Sequence, residues 1–154
     1  MGMYYLDSSA LVKRYAREVG SSWIASLTDP SSADSIFIAL VTGAEMVAAV
    51  TRKMRTGAVP PHDAQVAIST FKSHFKTAYL IVLVPAAVVD LAMALAERHG
   101  LRGYDAIQLA SALTVQAELN SSGVTLTAFV SADTHLNNAA RSEGLSVENP
   151  LSYP

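Results

Sequence analysis

Four acidic residues stand apart from the other acids of this 154-residue chain: Asp7, Glu45, Asp105 and Asp133 are each the only formal charge within a locally apolar segment. The remaining acids, such as Glu18, Asp63 and Glu143, lie on polar faces or in turns. A carboxylate in apolar surroundings is costly unless it accepts several hydrogen bonds, meets a cation or binds a metal. None of the four has a cation beside it in sequence to pair with. If they converge, their repulsion is too large for all to stay ionised, and a divalent cation is the simplest remedy. Oxygen-only ligands suit Mg²⁺ or Mn²⁺ rather than zinc. Such ions bind phosphate oxygens, activate water and stabilise a leaving alkoxide, so the chemistry that fits is phosphodiester hydrolysis. Each acid also has a plainer reading. Asp7 and Asp133 can cap helices, Asp105 can sit in a favourable first helical turn, and Glu45 can snorkel to solvent.

The elements that must position these acids alternate between strand and helix. Met3 to Leu6 reads as a buried strand ending at Asp7, followed by a helix through Leu11, Val12 and Tyr15 to Gly20 and a short one carrying Trp23, Ile24 and Leu27. A second strand is expected over Ile36 to Ala39, then a long helix from about Leu40 to Thr56 holding Glu45. A helix from His62 or Asp63 to about Ala78 precedes Leu80 to Val84, a continuous aliphatic run that predicts a strand covered on both faces. Helices then follow from Ala86 to His99 and through the apolar Asp105 segment, ending before Ser121 to Gly123. Leu126 to Val130 predicts a buried strand ending near Asp133, with a helix over Thr134 to Glu143 and a last strand around Leu145 to Val147. Strands separated by helices imply a parallel sheet with helices on both faces, and ligands bind at the carboxyl ends of such strands. Asp7 and Asp133 are expected there, and Glu45 and Asp105, early in helices, could lie over the same edge.

Composition narrows the class further. The length is that of one domain covering residues 1–154, and 51% hydrophobic against 16% charged residues describes a folding chain whose apolar surplus suits a homodimer. There is no cysteine, which removes disulfides and thiolate zinc sites. The N-terminus has no basic region followed by a sustained apolar run, and no stretch reaches membrane-spanning length, so a cytoplasmic protein without membrane partner is expected. A net charge of −2 argues against a general polyanion binder, so any nucleic-acid contact must be local or metal-assisted.

Four motifs in order carry a family resemblance: Asp7-Ser8-Ser9-Ala10, Glu45 in its long helix, Arg102-Gly103-Tyr104-Asp105-Ala106, and Val130-Ser131-Ala132-Asp133. Together they resemble the PIN-domain proteins of the VapC toxin type, across essentially the whole chain. The resemblance implies a three-layer α/β/α fold with a central parallel sheet and an Mg²⁺- or Mn²⁺-dependent endoribonuclease acting on RNA. It also implies a cognate VapB-like antitoxin and a dimer. Asp7, Glu45, Asp105 and Asp133 become the catalytic, metal-holding cluster, with Ser9 and Ser131 as polar support. One departure is a longer segment between Asp105 and Asp133, with Asn120 to Thr125 as the extra loop.

Lys13, Arg14 and Arg102 fall close in sequence to Asp7 and Asp105, where they could hold phosphates flanking the scissile bond. Arg52, Lys53 and Arg55 end a helix, where cations are favoured by the dipole, so structure alone explains the cluster about as well as RNA binding does. His62, His74, His99 and His135 lack the spacing of metal ligands and read as surface or capping residues. Trp23, Met46, Val50 and Met54 read as core, in part as a groove for a partner helix. Two rival functions remain: a non-cleaving module of the same shape that binds RNA or a partner, and an Mg²⁺-dependent phosphotransfer domain. Against the latter, Asp7 is followed by two serines rather than by a second Asp two residues on.

Overall fold

The computed structural model describes residues 1–154 and places five parallel strands in one sheet, in the order β3-β2-β1-β4-β5. The strands are β1 (Met3–Leu6), β2 (Ser35–Ala39), β3 (Leu80–Val82), β4 (Ala128–Val130) and β5 (Val147–Glu148). The helices are α1 (Ser8–Leu11), α2 (Ser21–Leu27), α3 (Thr42–Arg55), α4 (Pro61–Thr77), α5 (Ala86–His99), α6 (Gly103–Ser121) and α7 (Thr134–Ser142). Alternation of side chains along the strands divides the interior in two. Tyr5 and Phe129 stack on one face and pack with Val88, Leu95, Leu109 and Leu136 from α5, α6 and α7. Leu6, Ile38 and Val130 point to the other face, against Leu11, Ile24, Met46 and Phe71 from α1 to α4. The result is the expected α/β/α architecture.

The strand order reverses direction between β1 and β4. From β1 the chain adds β2 and β3 on one side, then returns to add β4 and β5 on the other. At such a switch the connections leave in opposite directions and open a crevice beyond the carboxyl ends of the two strands. Asp7 leaves β1 at this point, its N–H donating to the Val130 carbonyl of β4 at 3.1 Å.

Several elements differ from their sequence-based boundaries. The helix expected to run on toward Gly20 stops at Leu11 and tightens into a 3-10 turn over Val12–Arg14. Leu80 to Val84 is covered on both faces only in part: Ile81 packs against one core and Val82 and Val84 against the other, but β3 is a sheet edge and Leu80 and Leu83 are 49% and 67% exposed. A continuous aliphatic run cannot by itself distinguish an edge from a centre. The pairing of β4 begins at Ala128 rather than Leu126, and β5 pairs over Val147 and Glu148 rather than over Leu145 to Val147. Of the extra segment expected over Asn120 to Thr125, α6 absorbs Asn120 and Ser121, and the loop starts at Ser122. Met46 and Val50 are core as expected, whereas Trp23 is half-buried and stacks on Tyr153 of the C-terminal turn, with ring centroids 4.3 Å apart.

Gly20 joins the two ends of the chain. It has φ +89°, and a Cβ there would stand 2.5 Å from the Pro150 carbonyl oxygen. Gly20→Ala therefore meets both left-handed strain and a backbone clash, and should lower unfolding free energy by about 2 kcal/mol or more. A chemical denaturation midpoint equal to wild type would contradict this.

Candidate active site

Asp7 is 3% exposed, yet its carboxylate is well supplied with donors. Oδ1 accepts from the Ala10 N–H at 3.0 Å, which makes Asp7 the N-cap of α1, and from the Ser9 hydroxyl at 2.7 Å. Oδ2 accepts from the Ser131 hydroxyl at 2.7 Å. Both hydroxyl protons are spent on Asp7, so each serine oxygen is left to accept: Ser9 takes the Ala132 N–H at 3.0 Å and Ser131 the Asp133 N–H at 3.1 Å. One carboxylate thus fixes the geometry of the loop after β4. Burial pushes the Asp7 carboxyl up to about 6 against the pull of these hydrogen bonds, and the charge of Asp105 adds to the rise.

Glu45 lies in the first turn of α3 and is held from two sides. Ser8 donates to Oε2 at 3.0 Å and the Gln108 amide donates to Oε1 at 2.8 Å. Gln108 is itself almost completely enclosed and also donates to the Thr42 hydroxyl at 2.9 Å, while its Oε1 accepts the Tyr5 hydroxyl proton at 2.7 Å. Thr42 and Glu45 are three residues apart on α3, as Asp105 and Gln108 are on α6, so each pair shares a helix face. Gln108 thereby ties the two helical layers together across the end of the sheet. Burial raises the pKa of Glu45, opposed by Gln108 and Ser8 and reinforced by Asp105.

Asp105 is half-buried in the first turn of α6, and no side chain or N–H donates to its carboxylate. Its pKa is raised first by burial and then by Asp133, with Arg102 and His135 acting in the opposite sense. Asp133 caps α7, its Oδ1 accepting from the Leu136 N–H at 2.9 Å. Asp105 is therefore the hub: its charge acts on Asp7 and Glu45, and that of Asp133 acts on it. As the side chains stand, no three Asp, Glu or His residues are grouped so as to hold a metal ion among them. The donor chemistry nevertheless suits Mg²⁺ or Mn²⁺, which take one or two carboxylates and keep several waters. Asp105, half-buried without a hydrogen-bond donor, is the group with most to gain from such an ion.

The three candidate phosphate-binding cations have different fates. Arg102 is exposed at the start of α6 beside Asp105. Lys13 is buried and bonded to Glu18 at 2.9 Å, an acid that also takes Lys53 at 2.8 Å, so Glu18 is more than ordinary surface. Arg14 donates to the Thr28 carbonyl at the end of α2 and lies 5.9 Å from the Tyr15 ring centroid. Both are occupied in holding the turn after α1. His74 and His99 are also more than surface residues, bonded to Tyr15 at 2.9 Å and to Glu143 at 2.6 Å. Sequence reasoning missed Gln108, Ser8 and Thr42. A signal existed for the first, an amide one turn beyond Asp105 in the apolar first half of the helix.

The family model for the PIN domain matches residues 4–142. The chain belongs to the PIN-domain family. Solved structures resemble this PIN domain over nearly its whole length. VapBC2 from Rickettsia felis, bound to a DNA fragment from its promoter, aligns with TM-score 0.60 and 16% identity over 96% of this chain and 98% of that one. VapC20 from Mycobacterium tuberculosis, a sarcin-ricin loop cleaving toxin, aligns with TM-score 0.62 and 13% identity over 92% and 95%. FitAcB from Neisseria gonorrhoeae aligns with TM-score 0.56 and 17% identity over 96% and 98%. At these identities the likeness is one of fold. Comparison of the sequence with curated proteins gives no significant match. No helix of this PIN domain is long and apolar enough to cross a membrane.

The Asp7 carboxyl moves from 3.8 to about 6 on folding, so the folded state favours its protonated form. The stability this contributes is complete below pH 3.8 and lost as pH rises to about 6. In chelator, Asp7→Asn should equal wild type near pH 3.5 and exceed it by about 2–3 kcal/mol above pH 6.5. A pH-independent difference in melting temperature would contradict this. Gln108→Leu strips partners from Tyr5, Thr42 and Glu45 together and should cost roughly 2–4 kcal/mol by denaturant unfolding. A loss under 0.5 kcal/mol, about the size of a surface substitution, would show that the amide does not tie the layers.

Proposed function

We propose that this PIN domain is an Mg²⁺- or Mn²⁺-dependent endoribonuclease of the VapC type, in which Asp7, Glu45, Asp105 and Asp133 form the catalytic acidic cluster. The observation that carries the reading is the buried Asp7 carboxylate at the carboxyl end of β1, bound by Ser9 and by Ser131 from the end of the adjoining β4, where the strand order reverses. These acids are the most isolated in sequence, and Asp7 and Glu45 are braced by hydrogen bonds while Asp105 is not. A structure concerned only with stability would not place isolated carboxylates at the switch point of its sheet, where ligands bind in open α/β folds.

The ion, when bound, would supply positive charge for the phosphate and lower the pKa of water, the usual role of such metals in phosphodiester hydrolysis. Asp105 and Asp7 would hold it, the first because it lacks other donors and the second because Ser9, Ser131 and Ala10 orient its oxygens. Glu45, set by Gln108 and Ser8, and the Asp133 oxygen not used in capping would accept hydrogen bonds from waters around the ion. Arg102, exposed beside Asp105, would meet a phosphate flanking the scissile bond. Lys13 and Arg14 would act on RNA only indirectly, by shaping the turn behind Ser9.

Toxin–antitoxin pairing is part of the same proposal: the fold relatives include VapBC2 and FitAcB, and a VapB-like antitoxin is the natural partner of a VapC-type nuclease. A single domain spanning the chain, a homodimer and a cytoplasmic location complete the reading. The non-cleaving module is the reading that would replace it.

Purified protein should cut a labelled mixed RNA pool in Mg²⁺ or Mn²⁺, lose the activity in chelator, and lose at least about 100-fold in Asp7→Asn and Asp105→Asn, a free-energy effect of roughly 3 kcal/mol. Full cleavage by either variant would overturn the assignment. A folded, antitoxin-free protein that binds Mn²⁺ and cuts no RNA would point to another substrate. Failure to bind metal would favour the module.

A further inference from the structure

Beside Glu45 a cleft of about 330 Å³ opens between α3 and the start of α6, lined by Ser8, Ala44, Glu45, Ala49, Arg52 and Tyr104. Its volume is at the small end of ligand pockets, roughly 300–1,000 Å³. Its two walls differ in chemistry. On the α6 side stands Tyr104, the residue before Asp105, 58% exposed and stacked on no other ring. On the α3 side stands Arg52, exposed and in no salt bridge. Between them Ala44, Ala48 and Ala49 leave the helix surface bare, so a flat group can approach closely.

A lone exposed aromatic residue is ordinary. What singles out Tyr104 is its place, adjoining Asp105 and sharing a cleft with Glu45 and an unpaired arginine. Glu45, Ala49, Arg52 and Thr56 succeed one another at helical spacing along one face of α3. Seven residues separate Glu45 from Arg52, or about 10 Å along the axis. A strand whose reacting phosphate lies at the acids would thus bring a neighbouring phosphate to Arg52, and Lys53 stands next to it with Glu18 sharing its charge. The protein's net charge is negative, so this short cationic stretch is a local feature and not part of a general polyanion surface.

We propose that Tyr104 and Arg52 form a nucleotide subsite flanking the acidic cluster, in which Tyr104 stacks an unpaired base and Arg52 holds the adjacent phosphate of single-stranded RNA. The inference rests on the ribonuclease reading and adds to it the residues that seat the substrate. Stacking on one aromatic ring tolerates any base but requires that the base be free of a duplex, so the subsite selects loops and single strands over paired RNA. Both side chains are exposed and neither supports the core, which separates binding from folding.

The test is steady-state cleavage of a labelled single-stranded RNA of mixed sequence by wild type, Tyr104→Ala, Tyr104→Phe and Arg52→Gln, with melting temperatures as a check of folding. Tyr104→Ala is expected to raise KM roughly 5- to 100-fold, the range of one lost base stack, with kcat changed much less. Tyr104→Phe should recover most of the loss, because the ring and not the hydroxyl carries the stack. In an Asp7→Asn background, Arg52→Gln should weaken equilibrium binding of the same RNA and reduce the slope of log affinity against log salt by about 0.7, one phosphate contact on a single strand. Tyr104→Ala with a wild-type KM, or with a fall confined to kcat, overturns the stacking role. An unchanged salt slope in Arg52→Gln overturns the phosphate contact. If wild type cuts RNA and the variants match it, the subsite alone fails; if wild type neither cuts nor binds RNA, the ribonuclease reading and the subsite fail together.

Discussion

The enclosed Asp7 carboxylate is the constraint on which the rest of this structure depends. It sits where β1 ends and the sheet reverses direction, and it is removed from water while carrying a charge at neutral pH. Burying an ion without partners would be prohibitive, so the local chain is shaped to supply them. The α1 helix begins where it does because the Ala10 N–H needs an acceptor, and the loop after β4 folds back because Ser131 must reach Oδ2. The same serines then fix Ala132 and Asp133 through their N–H groups. Asn137, buried in α7, donates to the Ser131 carbonyl at 2.8 Å and holds that loop from behind.

A second constraint acts between the helical layers. Helices on opposite faces of a sheet have no direct reason to keep a fixed register at its edge. Here Gln108 reaches from α6 to Thr42 and Glu45 on α3, and Tyr5 reaches up from the sheet to the same amide. The network has every amide atom engaged, which is the condition for a buried polar group to add rigidity instead of cost. Rigidity at this point matters because the acids come from four separate elements, and their mutual distances are set by how those elements pack.

The candidate acids were legible because burial and charge conflict. Asp7, Glu45, Asp105 and Asp133 stood out as charges with no local explanation, and the elements that carry them could be read from periodicity and from helix start and stop residues. Lys13 and Arg14 show the limit of that logic. Their nearness in sequence to Asp7 suggested phosphate contacts, but the tightening of the chain after Leu11 turns Lys13 inward to Glu18 and Arg14 to the Thr28 carbonyl. Leu80 to Val84 shows another limit, since hydrophobicity records how apolar a strand is and not how many neighbours cover it.

The sequence by itself determined the α/β alternation, the parallel sheet, the approximate span of most helices and the identity of the isolated acids. These depend on patterns within one segment: 3.6-residue periodicity, aliphatic runs, caps and breakers. Only the tertiary structure decided the strand order, hence which strand ends adjoin at the switch point, and only it decided that Gln108 braces Glu45 and that Tyr104 and Arg52 face one cleft. Those relations join residues dozens of positions apart, and such pairings leave no trace in local pattern because they arise from how whole layers pack.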